Sequence, residues 1–159
     1  MKHPNMLAAF VAATVLSSSA YARDSLIVQA SPSVARWTAE ISHSLDHNLR
    51  YPHTFGGQVP EGVVTVAFDC SDAGLPSQVT VVSPSRFASL DREAVRAIKR
   101  LKSMHPLPLG VSDGQRFEAE VFFADSENSL HRMQTAARQR QQLASRDPTI
   151  LKLAVHAAR

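Results

Sequence analysis

Between Tyr51 and Phe123, strand, turn, strand, helix and strand signals follow one another without a gap, and that order leaves few folds open. The run VVTVAFDC puts Val64, Val66, Phe68 and Cys70 on one face and Val63, Thr65, Ala67 and Asp69 on the other, the period of two of a strand. Asp72-Ala73-Gly74 supplies a turn with a residue free to take positive φ. Val79 and Val81 resume the alternation close enough for an antiparallel hairpin. The period then changes: Leu90, Ala94, Ala97, Ile98 and Leu101 recur every three or four residues, an amphipathic helix with Ser89 as its expected N-cap. Asp91 and Glu93 near its start and Lys99, Arg100 and Lys102 near its end suit the helix dipole. Pro106 and Pro108 stop it. Past Gly110, Phe117, Ala119, Val121 and Phe123 alternate with Arg116, Glu118, Glu120 and Phe122 as a third strand.

Upstream, Ser31-Pro32 reads as an N-cap with proline at the first helical position. A stripe of Val34, Trp37, Thr38, Ile41 and Leu45 follows, and the Tyr51-Pro52 step ends that helix. The expected fold class is α+β: a small three-stranded antiparallel sheet packed against two helices, with a helical C-terminal tail.

These residues resemble the C-terminal domain of the TonB family, periplasmic energy transducers of Gram-negative bacteria. The resemblance spans Trp37 to Asp125 and rests on the order of its marks. They are Tyr51-Pro52, the run from Glu61-Gly62, the turn at Gly74, the Leu90-Asp91 pair opening a helix, and Pro106 and Pro108 after it. The resemblance implies a binding module. In the family, the last strand captures an extended segment near the N-terminus of an outer-membrane transporter. That role would fall here on Arg116, Glu118, Glu120, Phe122 and Ala124. The physics agrees, because an unpaired sheet edge accepts an added strand through its free backbone groups. Glu118, Glu120 and Phe122 face away from the expected core and would tune specificity. An ordinary edge strand protected by charge is the competing reading. The more distant resemblance to the TolA C-terminal domain implies envelope-integrity partners instead.

The N-terminus addresses the compartment. Lys2 and His3 precede the apolar run MLAAFVAATVL, and Ala20-Tyr21-Ala22 offers a signal-peptidase site, so residues 1–22 read as a cleaved secretory signal. A spanning helix needs about 20 apolar residues, and Ser17-Ser18-Ser19 comes too early for that. An uncleaved inner-membrane anchor is the alternative. Residues 23–30 form a linker that reaches at most about 29 Å when extended, too short to cross a periplasm. The expected parts are then a 31–125 domain and a basic 126–159 extension, forming a periplasmic module that recognises partners without delivering force.

A formal charge of +3 and a pI near 9.4 suit an anionic lipid surface or an acidic partner. Nucleic acid is discounted because the signal leads away from it. Cys70 is the only cysteine, so no internal disulfide forms; its parity places it on the core face as a small hydrophobe, with a reactive thiol or an intermolecular bridge as the alternative. His43 and His47, spaced i, i+4, and nearby His53 are the one metal-like cluster. His43 and His47 lie opposite the apolar stripe, which favours solvated side chains, so no cofactor is expected; a metal-dependent or hydrolytic activity centred on the three histidines is the alternative. No nucleophile elbow or phosphate loop supports an enzyme.

Beyond Asp125, ENSLHRMQTAARQRQQLASR reads as a helix with Leu130, Met133, Ala137 and Leu143 on one side. Asp147-Pro148 breaks it before a second short helix, TILKLAVHAA. The basic tail has three readings: a solvated appendage, a cover for the sheet's open edge, or an amphipathic segment on an anionic membrane. A covered edge would make the tail a regulator of binding, and an uncovered one could pair two copies of the chain.

Overall fold

A computed structural model describes residues 31–52, 59–143 and 150–157. Its elements run α1 (Val34–Asn48), β1 (Gly62–Cys70), β2 (Pro76–Ser83), α2 (Ala88–Lys99), β3 (Arg116–Phe123), α3 (Glu127–Leu143) and β4 (Leu151–Ala157). Among the described residues the fold is α+β with three helices. Its sheet differs from expectation: it has four strands in the order β2-β1-β3-β4, antiparallel at the first two contacts and parallel at the last.

The fourth strand is the segment expected to be a helix. Leu151, Leu153, Val155 and Ala157 align with Phe117, Ala119, Val121 and Phe123, so their side chains join the core face. Lys152, Ala154 and His156 fall on the other face. An apolar edge on β3 is a larger reward for this segment than its helix-favouring leucines and alanines, since propensity is a weak prior that tertiary pairing overrides. The remainder of the tail, α3, connects β3 to β4 as a crossover, which parallel neighbours require.

One core lies between the sheet and the first two helices. In it Val64, Val66 and Phe68 of β1 stand opposite Val121, Ala119 and Phe117 of β3. Trp37, Ile41 and Leu45 of α1 and Leu90, Ala94 and Ile98 of α2 close over them. Val34, at the start of the expected stripe, is 42% exposed and belongs to the surface. Trp37 anchors α1 twice: its ring lies 5.2 Å from that of Phe117, and its Nε1–H donates to the Met104 carbonyl at 2.7 Å. The indole is thereby buried with its polar atom satisfied.

Both expected caps shift. The hydroxyl accepting the Arg36 N–H belongs to Ser33, at 3.2 Å, rather than to Ser31. At α2, Ser89 lies inside the helix, and the start is fixed by Asp91, whose Oδ1 accepts both the Ser85 N–H and the Ser85 hydroxyl at 2.8 Å. A second polar knot joins α1 to α2. Glu93, 3% exposed, accepts Arg96 at 2.8 Å, Arg100 at 2.9 Å and the Arg50 N–H at 3.1 Å. Arg100 also donates to the Asn48 carbonyl at the end of α1. A buried carboxylate stays ionised at tolerable cost only with partners of this kind.

Candidate functional site

The site expected from the sequence is the outer edge of β3, and among the described residues that edge is not open. β4 pairs with it from Phe117 to Phe123, leaving β2 and β4 as the outer strands. The predicted binding residues are therefore engaged within the chain. Arg116 lies 3.6 Å from Asp69 of β1, Glu118 lies 3.7 Å from Lys152 of β4, and Glu120 accepts the Gln141 amide of α3 at 3.0 Å. Phe122 does face away from the main core, as its parity requires, yet it is 2% exposed. Helix α3 packs on β3 and buries Ala137, so this second face is covered around Phe122. Ala124, just past the strand, is 8% exposed.

Both outer strands carry features that discourage further pairing. β2 begins at Pro76, which has no N–H to offer, its ladder with β1 shifts register twice, and Gln78 has a positive φ of 50°. On β4, the His156 N–H donates to Asp46 Oδ1 of α1 at 2.9 Å, so a helix carboxylate satisfies a group that an added strand would need.

The residues carrying the family resemblance brace this arrangement. Tyr51 donates its hydroxyl to the Pro60 carbonyl at 2.7 Å and sets its ring edge-on to Phe123 at 5.8 Å. Glu61 Oε1 accepts the Asp125 N–H at 2.9 Å, joining the approach to β1 with the exit from β3. That bond, then one from the Ser129 hydroxyl, holds the Glu61 carboxyl below its ordinary pKa, with the Arg132 charge adding to the effect. A side chain at Gly62 would press on Ser85 Cβ at 3.2 Å. Gly74 has φ +73°, and a Cβ there would stand 2.9 Å from the His105 ring. Pro106 and Pro108 sit in the segment between α2 and β3.

That segment also assembles a group no sequence spacing revealed. The ligand atoms of Cys70, His105 and Asp113 all lie within 4.8 Å of one another. His105 Nε2 is 2.8 Å from Asp113 Oδ1, and Cys70 Sγ is 3.9 Å from the same oxygen. Burial and the neighbouring Asp113 carboxylate push the Cys70 thiol up from its ordinary pKa. The expected histidine cluster is different. His43 and His47 are exposed and do meet, Nε2 to Nε2 at 3.2 Å, but no third ligand atom completes a cluster with them among the described residues. His53 lies outside those residues, as do residues 1–22, read as a signal, and the 23–30 linker. Among the described residues no helix is long and apolar enough to cross a membrane.

Residues 47–124 match the family model described as Gram-negative bacterial TonB protein C-terminal. Neither the curated proteins nor the solved structures yield a match. The family consists of non-enzymatic protein-interaction domains that act with outer-membrane transporters, and its proteins are envelope-associated. The matched segment ends before α3 and β4, so the strand on the β3 edge lies outside the matched residues.

Proposed function

Since residues 47–124 are a TonB C-terminal domain, we propose that this chain is a periplasmic recognition module for an extended segment of an outer-membrane transporter. The segment joins the sheet beside β3, in the place β4 now holds. One observation carries this reading: a strand from beyond the matched residues pairs with β3 along its length. That edge therefore accepts an extended sequence with apolar residues at alternate positions, facing the Trp37, Ile41 and Leu45 side of the core. Backbone bonds supply the affinity, and side chains supply the choice of partner. Glu118, Glu120 and Phe122 read the incoming strand's outward side, with Arg116 and Ala124 at its two ends. On this reading β4 is a resident ligand, bound when no partner is present, and it must leave before one binds. Secretion through the 1–22 signal brings the module to its partners.

Hydrogen exchange on the full chain tests the exchange of strands. Adding a peptide from the N-terminal region of an outer-membrane transporter should speed exchange of the β4 amides while those of β1 and β3 stay protected. If the peptide binds and β4 keeps its protection, the binding surface lies elsewhere and the reading fails.

A further inference from the structure

Cys70, His105 and Asp113 stand apart from the strand edge, and their chemistry is unused by the reading above. The three donors arrive from separate parts of the chain. Cys70 ends β1, while His105 and Asp113 flank the loop that leads from α2 into β3. Two backbone clamps hold that loop against the β1–β2 turn. The Met104 N–H donates to the Gly74 carbonyl at 2.7 Å, and the Gly114 N–H donates to the Cys70 carbonyl at 2.8 Å. Each clamp lies next to a donor, so folding rather than ligand binding bears the entropy of gathering them. Met104 is in turn pinned by the buried Trp37 indole.

The sulfur forms the floor of the group and the other two donors its rim. Cys70 is 1% exposed, whereas the His105 and Asp113 side chains are 37% and 43% exposed. His105 and Asp113 also line a surface cleft of ≈ 570 Å³ together with Pro106, Leu107, Val111 and Ser112. Ligand atoms around a tetrahedral zinc ion lie roughly 3.3–3.6 Å apart, given its bond lengths to sulfur, nitrogen and oxygen. The Cys70–Asp113 separation of 3.9 Å is close to that spacing, and the His105–Asp113 separation of 2.8 Å needs only a small opening of a contact on exposed side chains.

We propose that Cys70, His105 and Asp113 bind one divalent transition-metal ion, zinc foremost, with a fourth position open to the cleft. One thiolate, one imidazole and one carboxylate form a mixed donor set that suits zinc better than magnesium or calcium, which take oxygen ligands. On binding, the Cys70 thiol gives its proton to solvent, the proton that His105 Nε2 shares with Asp113 passes to solvent or, through it, to Nδ1, and Nε2 and the Asp113 carboxylate each bond the ion instead. Cys70 is the chain's only cysteine, so no internal disulfide competes for the sulfur. The ion would tie the end of β1 to the loop entering β3 at a third point.

The test is to titrate the metal-free full chain with Co(II) and then to displace it with Zn(II). The expected result is one equivalent of Co(II) with a near-ultraviolet thiolate-to-cobalt charge-transfer band that zinc abolishes. Cys70→Ser should remove the band. Asp113→Asn, on the exposed rim, should weaken zinc binding by at least about tenfold, since even outer-shell changes cost 10–100-fold. The double variant His43→Ala, His47→Ala should bind as the unaltered chain does, which separates this site from the histidine pair on α1. Circular dichroism confirms the fold of each variant, and Asp113→Asn carries the test if Cys70→Ser fails to fold. Absence of the band, or zinc affinity that follows the histidine pair instead of Asp113, overturns the proposal.

Discussion

Leu153→Ala should tighten the binding of a transporter peptide, although it removes a core side chain. Leu153 is 1% exposed, belongs to the main core and stands opposite Ala119 in the β3–β4 register. Truncation to alanine removes three buried carbons at about 0.8 kcal/mol each, and buried leucine-to-alanine changes cost about 2–5 kcal/mol. An edge strand can settle into the space left behind, so the lower end, about 2 kcal/mol, applies. That loss falls on the docked state alone, because an undocked Leu153 is already in water. The undocked population then rises about 30-fold, at 1.4 kcal/mol per factor of ten. Apparent affinity improves by the same factor while the undocked state is still the minority. Fluorescence anisotropy with a labelled peptide from the N-terminal region of an outer-membrane transporter reads this directly. Ile98→Val is the control: Ile98 is fully buried on α2, which packs over β1 and β2, and its loss should lower stability without raising affinity. Unchanged or weaker peptide binding by Leu153→Ala would refute the idea that β4 and the partner share one edge.

Three further outcomes follow from the bracing contacts. Glu93→Gln removes the charge that two arginines and a backbone N–H converge on, and should lower unfolding free energy in urea by about 1–3 kcal/mol; a midpoint matching the unaltered chain would count against the knot. Gly74→Ala forces a side chain into a left-handed φ of +73° and against His105 at 2.9 Å, a loss of about 1–3 kcal/mol that thermal unfolding would detect. The Glu61 carboxylate is held below its ordinary pKa, so its contribution to stability is complete above the unfolded-state value and fades as pH falls through the folded one. The stability gap between the unaltered chain and Glu61→Gln should therefore shrink between pH 7 and pH 3, and a constant gap would contradict that linkage.

The period-two runs of β1 and β3 and the three-to-four spacing of α2 were legible because each element buries one face against a single core. At Phe122 the parity is right, but α3, the helix that directly follows β3, folds back over the face it points to. β4 is a strand where a helix is expected, although Leu151, Leu153, Val155 and Ala157 alternate cleanly, a signal present in the sequence. Its leucines and alanines favoured a helix, and only the apolar border of β3, far away in sequence, tips the balance. The donors Cys70, His105 and Asp113 had no local signature because a hairpin turn and a loop bring them together.

The link through residues 124–150 keeps β4 permanently close to its docking edge. A tethered strand competes at an effective concentration of about millimolar for short flexible links, and α3 lying against the sheet narrows the search further. A free segment at micromolar levels thus meets roughly a thousandfold handicap before any difference in contacts counts. Segments displayed densely, or held to the domain by a second grip, escape that handicap. If β4 and the partner share one edge as proposed, the tail works as a threshold, ignoring scattered copies of a binding sequence and yielding to crowded ones.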